Sequence, residues 1–228
     1  QIQVSDYFVF QNVSVTDVFS DGQRWDTTMP RLAVTEHGGQ TSPLAPFDPA
    51  NVAFVVDSPG TGTTTATFNV SAELVARLLD GRLVGGCVPQ SGTGGPAPDC
   101  DVFNGGATTA TITFRTVIQE EFTDTFPSGD PSVDQGDVLD NAATVRGSLL
   151  QVTDAFSPTG ADEDDGTGAT VRIPDGILSK SIFAINGDIG FVDARLGPGD
   201  TVTYRLRYGL PTSDIEPLRL TDFLPLPV

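Results

Sequence analysis

The chain has 228 residues, 38% of them hydrophobic, with 25 Gly and 17 Pro. That is enough apolar material for one large domain or two ordinary ones, in a composition that favours short strands and turns over long helices. Thirty acidic residues against twelve basic ones leave a net charge of −18, which argues against nucleic acid or an anionic membrane surface as partner, since both are bound through clustered Lys and Arg.

From the N-terminus, Gln1–Val4 reads as strand, and Asn12–Phe19 alternates apolar and polar residues as a half-buried strand does. Further strand candidates are Arg31–Thr35, Val52–Val56 and Thr64–Val70. One segment breaks the rule. Ser71 stands as an N-cap, Glu73 falls in a first turn and Gly81 closes the run, so a short helix is predicted, with Leu74, Val75, Leu78 and Leu79 as its core-facing stripe. Gly and Pro crowd the segment from Gly85 to Cys100, which reads as a loop. Cys87 and Cys100 within it are expected to form a stapling disulfide, worth ~3 kcal/mol if unstrained. Two buried free thiols are the alternative. Zinc would need more ligands than one His and two Cys supply. The disulfide reading points to an oxidising, extracellular compartment.

Thr108–Ile118 and Ala142–Val152 are the next strand candidates, and Thr153–Asp175 reads as an acidic, Gly- and Pro-containing connection. Thr201–Tyr208 alternates without a break, with Val202, Tyr204, Leu206 and Tyr208 on one face. Gly197–Asp200 before it is a turn. Leu218–Phe223 reads as a last strand, stopped by Pro225 and Pro227. The pattern of Asn12–Phe19 returns in Pro217–Leu224 with Thr-Asp at the same place, which suggests tandem modules of one type. The expected division is 1–174, the later part of one sandwich with the helix and the disulfide loop as elaborations, and 175–228, the opening strands of a second. A half-sandwich cannot bury its inner face alone and needs more chain or a neighbouring copy to complete it. Strand-like residues at the start and the absence of a polar tail suggest that both ends are cuts in a longer polypeptide. The apolar runs are too short to span a membrane.

Two acidic stretches are candidate cation sites. Asp162-Glu163-Asp164-Asp165 precedes a Gly, and Asp130, Asp134 and Asp137 lie in a second acidic segment. Hard carboxylate oxygens suit calcium, which extracellular modules bind at about 10⁻⁴–10⁻³ M; a solvated linker is the competing reading, and no cofactor is required. For catalysis the sequence offers little. Its single His, His37, sits in a predicted turn, and no nucleophile elbow, phosphate loop or dinucleotide fingerprint is present. No enzyme is expected.

Three sets of residues carry a resemblance. Leu178–Ser181, Leu196–Tyr204 and Leu220–Pro225 resemble the opening of the conserved-repeat domains that fill giant bacterial cell-surface proteins, which in turn resemble the isopeptide-forming domains of fimbrial proteins. Gly136–Val145 resembles the closing strand of that domain type, and Val15–Gly22 its middle. The likeness implies an all-β fold of tandem, immunoglobulin-like antiparallel sandwiches, a secreted, cell-surface location and a structural role in a stalk or fibre. Its partners would be adjacent modules and identical copies, without nucleic acid or membrane insertion. The alternative is an extracellular module binding carbohydrate or protein. The likeness also implies isopeptide chemistry: Lys180, the chain's only lysine, matches the position of the reacting Lys, and Asn141 that of its Asn partner. On the expected division these two belong to different modules.

Overall fold

A computed structural model describes residues 1–35, 41–88, 108–153, 155–190, 195–210 and 218–224. The fold is all-β and built from antiparallel pairings. The chain divides into two compact units: Gln1–Pro131 with Leu139–Val171, and Ser132–Val138 with Arg172–Val228.

The first unit is a sandwich of two sheets. One sheet runs β1 (Ile2–Val4), β9 (Thr108–Thr113), β4 (Arg31–Thr35), β5 (Thr41–Pro46) in spatial order. The other runs β12 (Pro158–Arg172), β11 (Val138–Leu150), β2 (Val9–Phe19), β7 (Thr64–Asn69), β6 (Val52–Val56), with β8 (Leu83–Val84) also on β2. A two-stranded ribbon joins β3 (Gln23–Trp25) to β10 (Thr116–Ile118). Period-two alternation turns one face of each strand inward. Leu32 and Val34 come from the first sheet, Val13, Val15, Phe19, Ala66 and Phe68 from the second, and all are buried in one cluster. Phe68 anchors it, with its ring 5.3 Å from Phe114 and 5.8 Å from Phe47, centre to centre. These contacts between the two inner faces make the unit a sandwich rather than two separate sheets.

Several expectations change in detail. The predicted strand 108–118 is two strands, because Phe114 turns into the core against Phe19 and Phe68 and the chain passes from one pairing to another. The helix α1 is Val70–Ala76, with Asn69 rather than Ser71 at its N-cap position. Ser71 does something else: its Oγ accepts the Val13 N–H at 2.8 Å. β2 pairs with β8 at Val9–Phe10 and with β7 from Ser14 onward, so Val13 lies in the gap between two ladders, and the serine satisfies a donor that neither ladder reaches. The core-facing residues of the helix are Val70 and Leu74, whereas Val75 and Leu78 are 57% and 94% exposed. With the helix ending at Ala76 and Leu78 at a positive φ of 63°, the predicted stripe is broken after one turn. The acidic connection 153–175 proves to contain a fifteen-residue strand, β12, exposed along its whole length. The predicted strand at Leu218–Phe223 has no regular structure over the described residues 218–224.

The second unit is small. β13 (Ile177–Ile185) and β14 (Val202–Gly209) form a hairpin with Leu178 opposite Tyr208, Lys180 opposite Leu206 and Ile182 opposite Tyr204. The sequence reading places residues 132–138 in the first module. They belong to the second unit because the Gly136 N–H donates to the Ile173 carbonyl and the Ile173 N–H to the Asp137 carbonyl. Tyr208 Oη donates to Gln135 Oε1 at 2.8 Å and lies so close to Gly176 that a Cβ there would fall 2.0 Å from the hydroxyl. A larger residue there would have to displace the Tyr208 ring.

One buried ion pair ties helix to hairpin in the first unit. Glu73 accepts from the Asp48 N–H, from Asn51 Nδ2 and from Arg77 Nε, the last at 2.7 Å. The Arg77 guanidinium also donates to the carbonyls of Leu32 and Ala45 and to Ser42 Oγ across β4 and β5. Removing one partner of such a pair strands a buried charge, so Arg77→Ala is expected to cost about 3–5 kcal/mol in urea unfolding.

Candidate functional site

The sandwich is open on one side. Between β1 and the paired strands β11 and β12 lies a cleft of about 450 Å³. Val13 and Val15 of β2, with Ala143 and Val145 of β11, form its floor. Ile2, Ala110 and Ile112 line the opposite wall from β1 and β9, and Glu163–Thr167 of β12 form the lip. Ala143 and Val145 are only half-buried although they point inward, since Ala142, Thr144 and Arg146 between them are the exposed, outer residues. β12 pairs on one edge, and among the described residues no strand pairs with the other. A long free edge of this kind is a template for strand addition.

One charged side chain reaches the cleft floor from the core strands. Asp17 pairs across from Ala143 and is 7% exposed. Burial pushes its carboxyl above the usual range, opposed by Asn141, whose Nδ2 donates to Asp17 Oδ1 at 2.6 Å. Asp17 therefore sits at a desolvated position with one side-chain hydrogen-bond donor. Its neighbour Asp21 is the opposite case. Burial also raises the Asp21 carboxyl, but the N–H groups of Asp124, Thr125, Thr123 and Gly22 converge on it and bring it down to about 2. Asp21 is a structural clamp on the loop at 123–125. Asp17 is a carboxylate held at a cost, a mark of sites kept for something other than stability.

The acidic stretch Asp162–Asp165 is on β12, not in a loop. Asp162 accepts from Arg146 Nη2 at 2.8 Å and Ser148 Oγ at 2.7 Å, and these two bonds hold its carboxyl below the usual range. Strand alternation puts Asp164 on the same outer face and turns Glu163 and Asp165 toward the cleft. The four carboxylates are split between two faces and do not converge on one point. In the second acidic stretch Asp137 Oδ2 accepts the Asp134 N–H at 2.8 Å, closing a turn in the second unit, whereas Asp130 belongs to the first. Among the described residues no group of three or more His, Cys, Asp or Glu is placed to hold a metal ion.

Asn141 and Lys180 lie in different compact units. Asn141 is engaged by Asp17, while Lys180 Nζ is 2.5 Å from Asp222 Oδ1 and stacks over the Tyr204 ring at 4.4 Å. Cys87 is not a free thiol. Its expected partner Cys100 lies outside the described residues, as does His37. No helix among the described residues is long and apolar enough to cross a membrane.

Sequence reasoning passed over Asp17, although the signal was there: Val13, Val15, Asp17 and Phe19 share one face of an alternating strand, which puts a carboxylate where the period calls for an apolar residue. No protein-family model, curated protein or solved structure matches the chain. The likeness to conserved-repeat and fimbrial domains rests on the sequence motifs alone.

The two aspartates separate experimentally. Asp21 has a folded pKa of about 2 against an ordinary 3.8, so its stabilisation is full above the ordinary value and is lost as pH falls through about 2. Asp21→Asn is expected to remove about 2 kcal/mol at pH 7, and to abolish that part of the acid-induced loss of stability. For Asp17 the sign reverses. Its raised folded pKa means the charged form costs stability above that pKa, a cost relieved as pH falls through it. Asp17→Asn is expected to leave stability at pH 7 unchanged or higher, measured by urea unfolding.

Proposed function

We propose that the chain is a non-enzymatic structural module of a secreted bacterial surface protein or extracellular fibre, working in a stalk, in adhesion or in cell-to-cell contact. The observation that carries this reading is the incomplete burial of apolar surface in each unit. The first leaves an open, apolar-floored cleft. The second exposes Ile177, Leu178, Ile182, Leu206 and Leu210 on and beside a two-stranded hairpin, which is marginal as an isolated structure. Apolar surface on this scale belongs to contacts with other protein.

Two of the buried carboxylates have structural partners. Asp21 is held by four backbone N–H groups and Glu73 by Arg77. Antiparallel sandwiches suit a load-bearing role because their ladders keep backbone hydrogen bonds internal. A disulfide between Cys87 and Cys100 would stiffen the long loop between β8 and β9 and fit an oxidising location. Adjacent modules of the same polypeptide and identical copies are the partners this reading implies. Calcium bridging, if it operates, would need carboxylates from more than one strand or copy, because alternation divides Asp162–Asp165 between the two faces of β12.

A second reading, an extracellular binding module, draws on the cleft itself, whose volume falls within the range of small-ligand sites. An exposed aromatic platform of the kind that holds sugars is not formed by Trp25, which stacks on Phe54 at 3.9 Å and packs against the core.

Negative-stain electron microscopy of the purified chain over a concentration series separates the readings. End-to-end oligomers or filaments that grow with concentration are the expected result. Discrete single particles at every concentration would overturn the structural reading and bring the binding module forward.

A further inference from the structure

The cleft of the first unit and the hairpin of the second are complementary in chemistry. By register, Leu178, Lys180 and Ile182 of β13 share a face with Tyr208, Leu206 and Tyr204 of β14. That face is apolar but for one cation at its centre and two tyrosine hydroxyls, and among the described residues much of it is open: Leu178 is 48% exposed, Ile182 39% and Leu206 38%. Neither strand carries an acid, and Arg205 and Arg207 lie on the opposite face, across from Ser181 and Ser179. The cleft is the reverse image, an apolar floor with one desolvated carboxylate, Asp17, and a lip bearing Glu163 and Asp165. In a chain of net charge −18, a surface of positive sign bordered by apolar residues is scarce, and a matching acidic, apolar recess is present on the same molecule.

We propose that the β13–β14 hairpin of a second copy of this chain docks into this cleft, its apolar face against Val13, Val15 and Val145 and Lys180 at Asp17. The proposal rests on the assembly reading above and names its interface. Docking would set the hairpin beside the short edge strand β1 and beneath β11 and β12, extending the smaller sheet over the uncovered inner face of the larger one. Lys180 gives up a partly exposed pair with Asp222, which is weak, for a carboxylate already stripped of water. The acids on β12 repel a second β12 and so exclude edge-to-edge pairing of like strands. Because the two surfaces differ, the contact is heterologous: each copy offers a hairpin at one place and a cleft at another, and the result is an open chain or a closed ring rather than a two-fold dimer.

The test uses the whole chain in two block variants, Val145→Arg to fill the cleft and Leu206→Asp to break the hairpin face, with folding checked by circular dichroism and size followed by sedimentation velocity. Each variant alone is expected to be monomeric where the wild-type chain oligomerises. Mixed together, they are expected to form a one-to-one dimer that grows no further, since one intact cleft and one intact hairpin remain. Asp17→Asn leaves the fold intact and is expected to weaken wild-type association about 30-fold or more. Oligomers in both single variants, with the size distribution of the wild type, would overturn the proposed interface while leaving the assembly reading in place. A mixture that stays monomeric overturns the interface too. A wild-type chain that is monomeric throughout overturns both.

Discussion

The first unit depends on β2 being paired along both edges while its inner face is packed against another sheet. It holds β11 on one side and β7 and β8 on the other, and its Val13, Val15 and Phe19 enter the cluster shared with the opposite sheet. Every other element is placed by reference to it. α1 fills the gap between the two ladders on one edge, and Ser71 closes the hydrogen bond the gap leaves open. The bulge between Arg146 and Ser148 on the other edge accommodates the turn of β2 at Asn12, a non-glycine residue at a φ of 54°.

The same strand carries both kinds of acid the molecule uses. Asp21, just past its end, is surrounded by donors and stabilises what it touches; Asp17, four residues earlier, is buried between Ala66 and Ala143 of the neighbouring strands with one amide for company. The difference is set by how many N–H groups converge, not by burial, because burial raises both. A carboxylate kept in the second condition, at the floor of an open cleft, ties the energetics of the sandwich to the proposed assembly: to the single donor that Asn141 supplies, a neighbour carrying a lysine on an apolar face can add a second.

The acids of β12 have a physical consequence for the strand that carries them. β12 is long, exposed and free along one edge, and such a strand invites pairing with any chain that meets it. Four carboxylates along its length make it selective. The charge run that reads as a solvated linker in the sequence lies, in the fold, along the longest edge strand among the described residues, where like charge discourages pairing.

The amino-acid sequence by itself determined the all-β class and most strand positions, because alternation and turn residues are local: Arg31–Thr35 and Val52–Val56 are strands over those spans. It also held the clue to the site, a carboxylate in an apolar alternation, since facing is fixed by a period of two. What only the tertiary structure decided follows from contacts distant in sequence. Gly and acid clusters read as loop until β11 is seen beside them, so β12 was hidden. Val75 and Leu78 read as core until the helix is seen to turn Val75 outward and to end before Leu78. The cleft exists because one sheet outgrows the other, and strand count and order in space are settled by packing between residues more than a hundred positions apart, which no local pattern records.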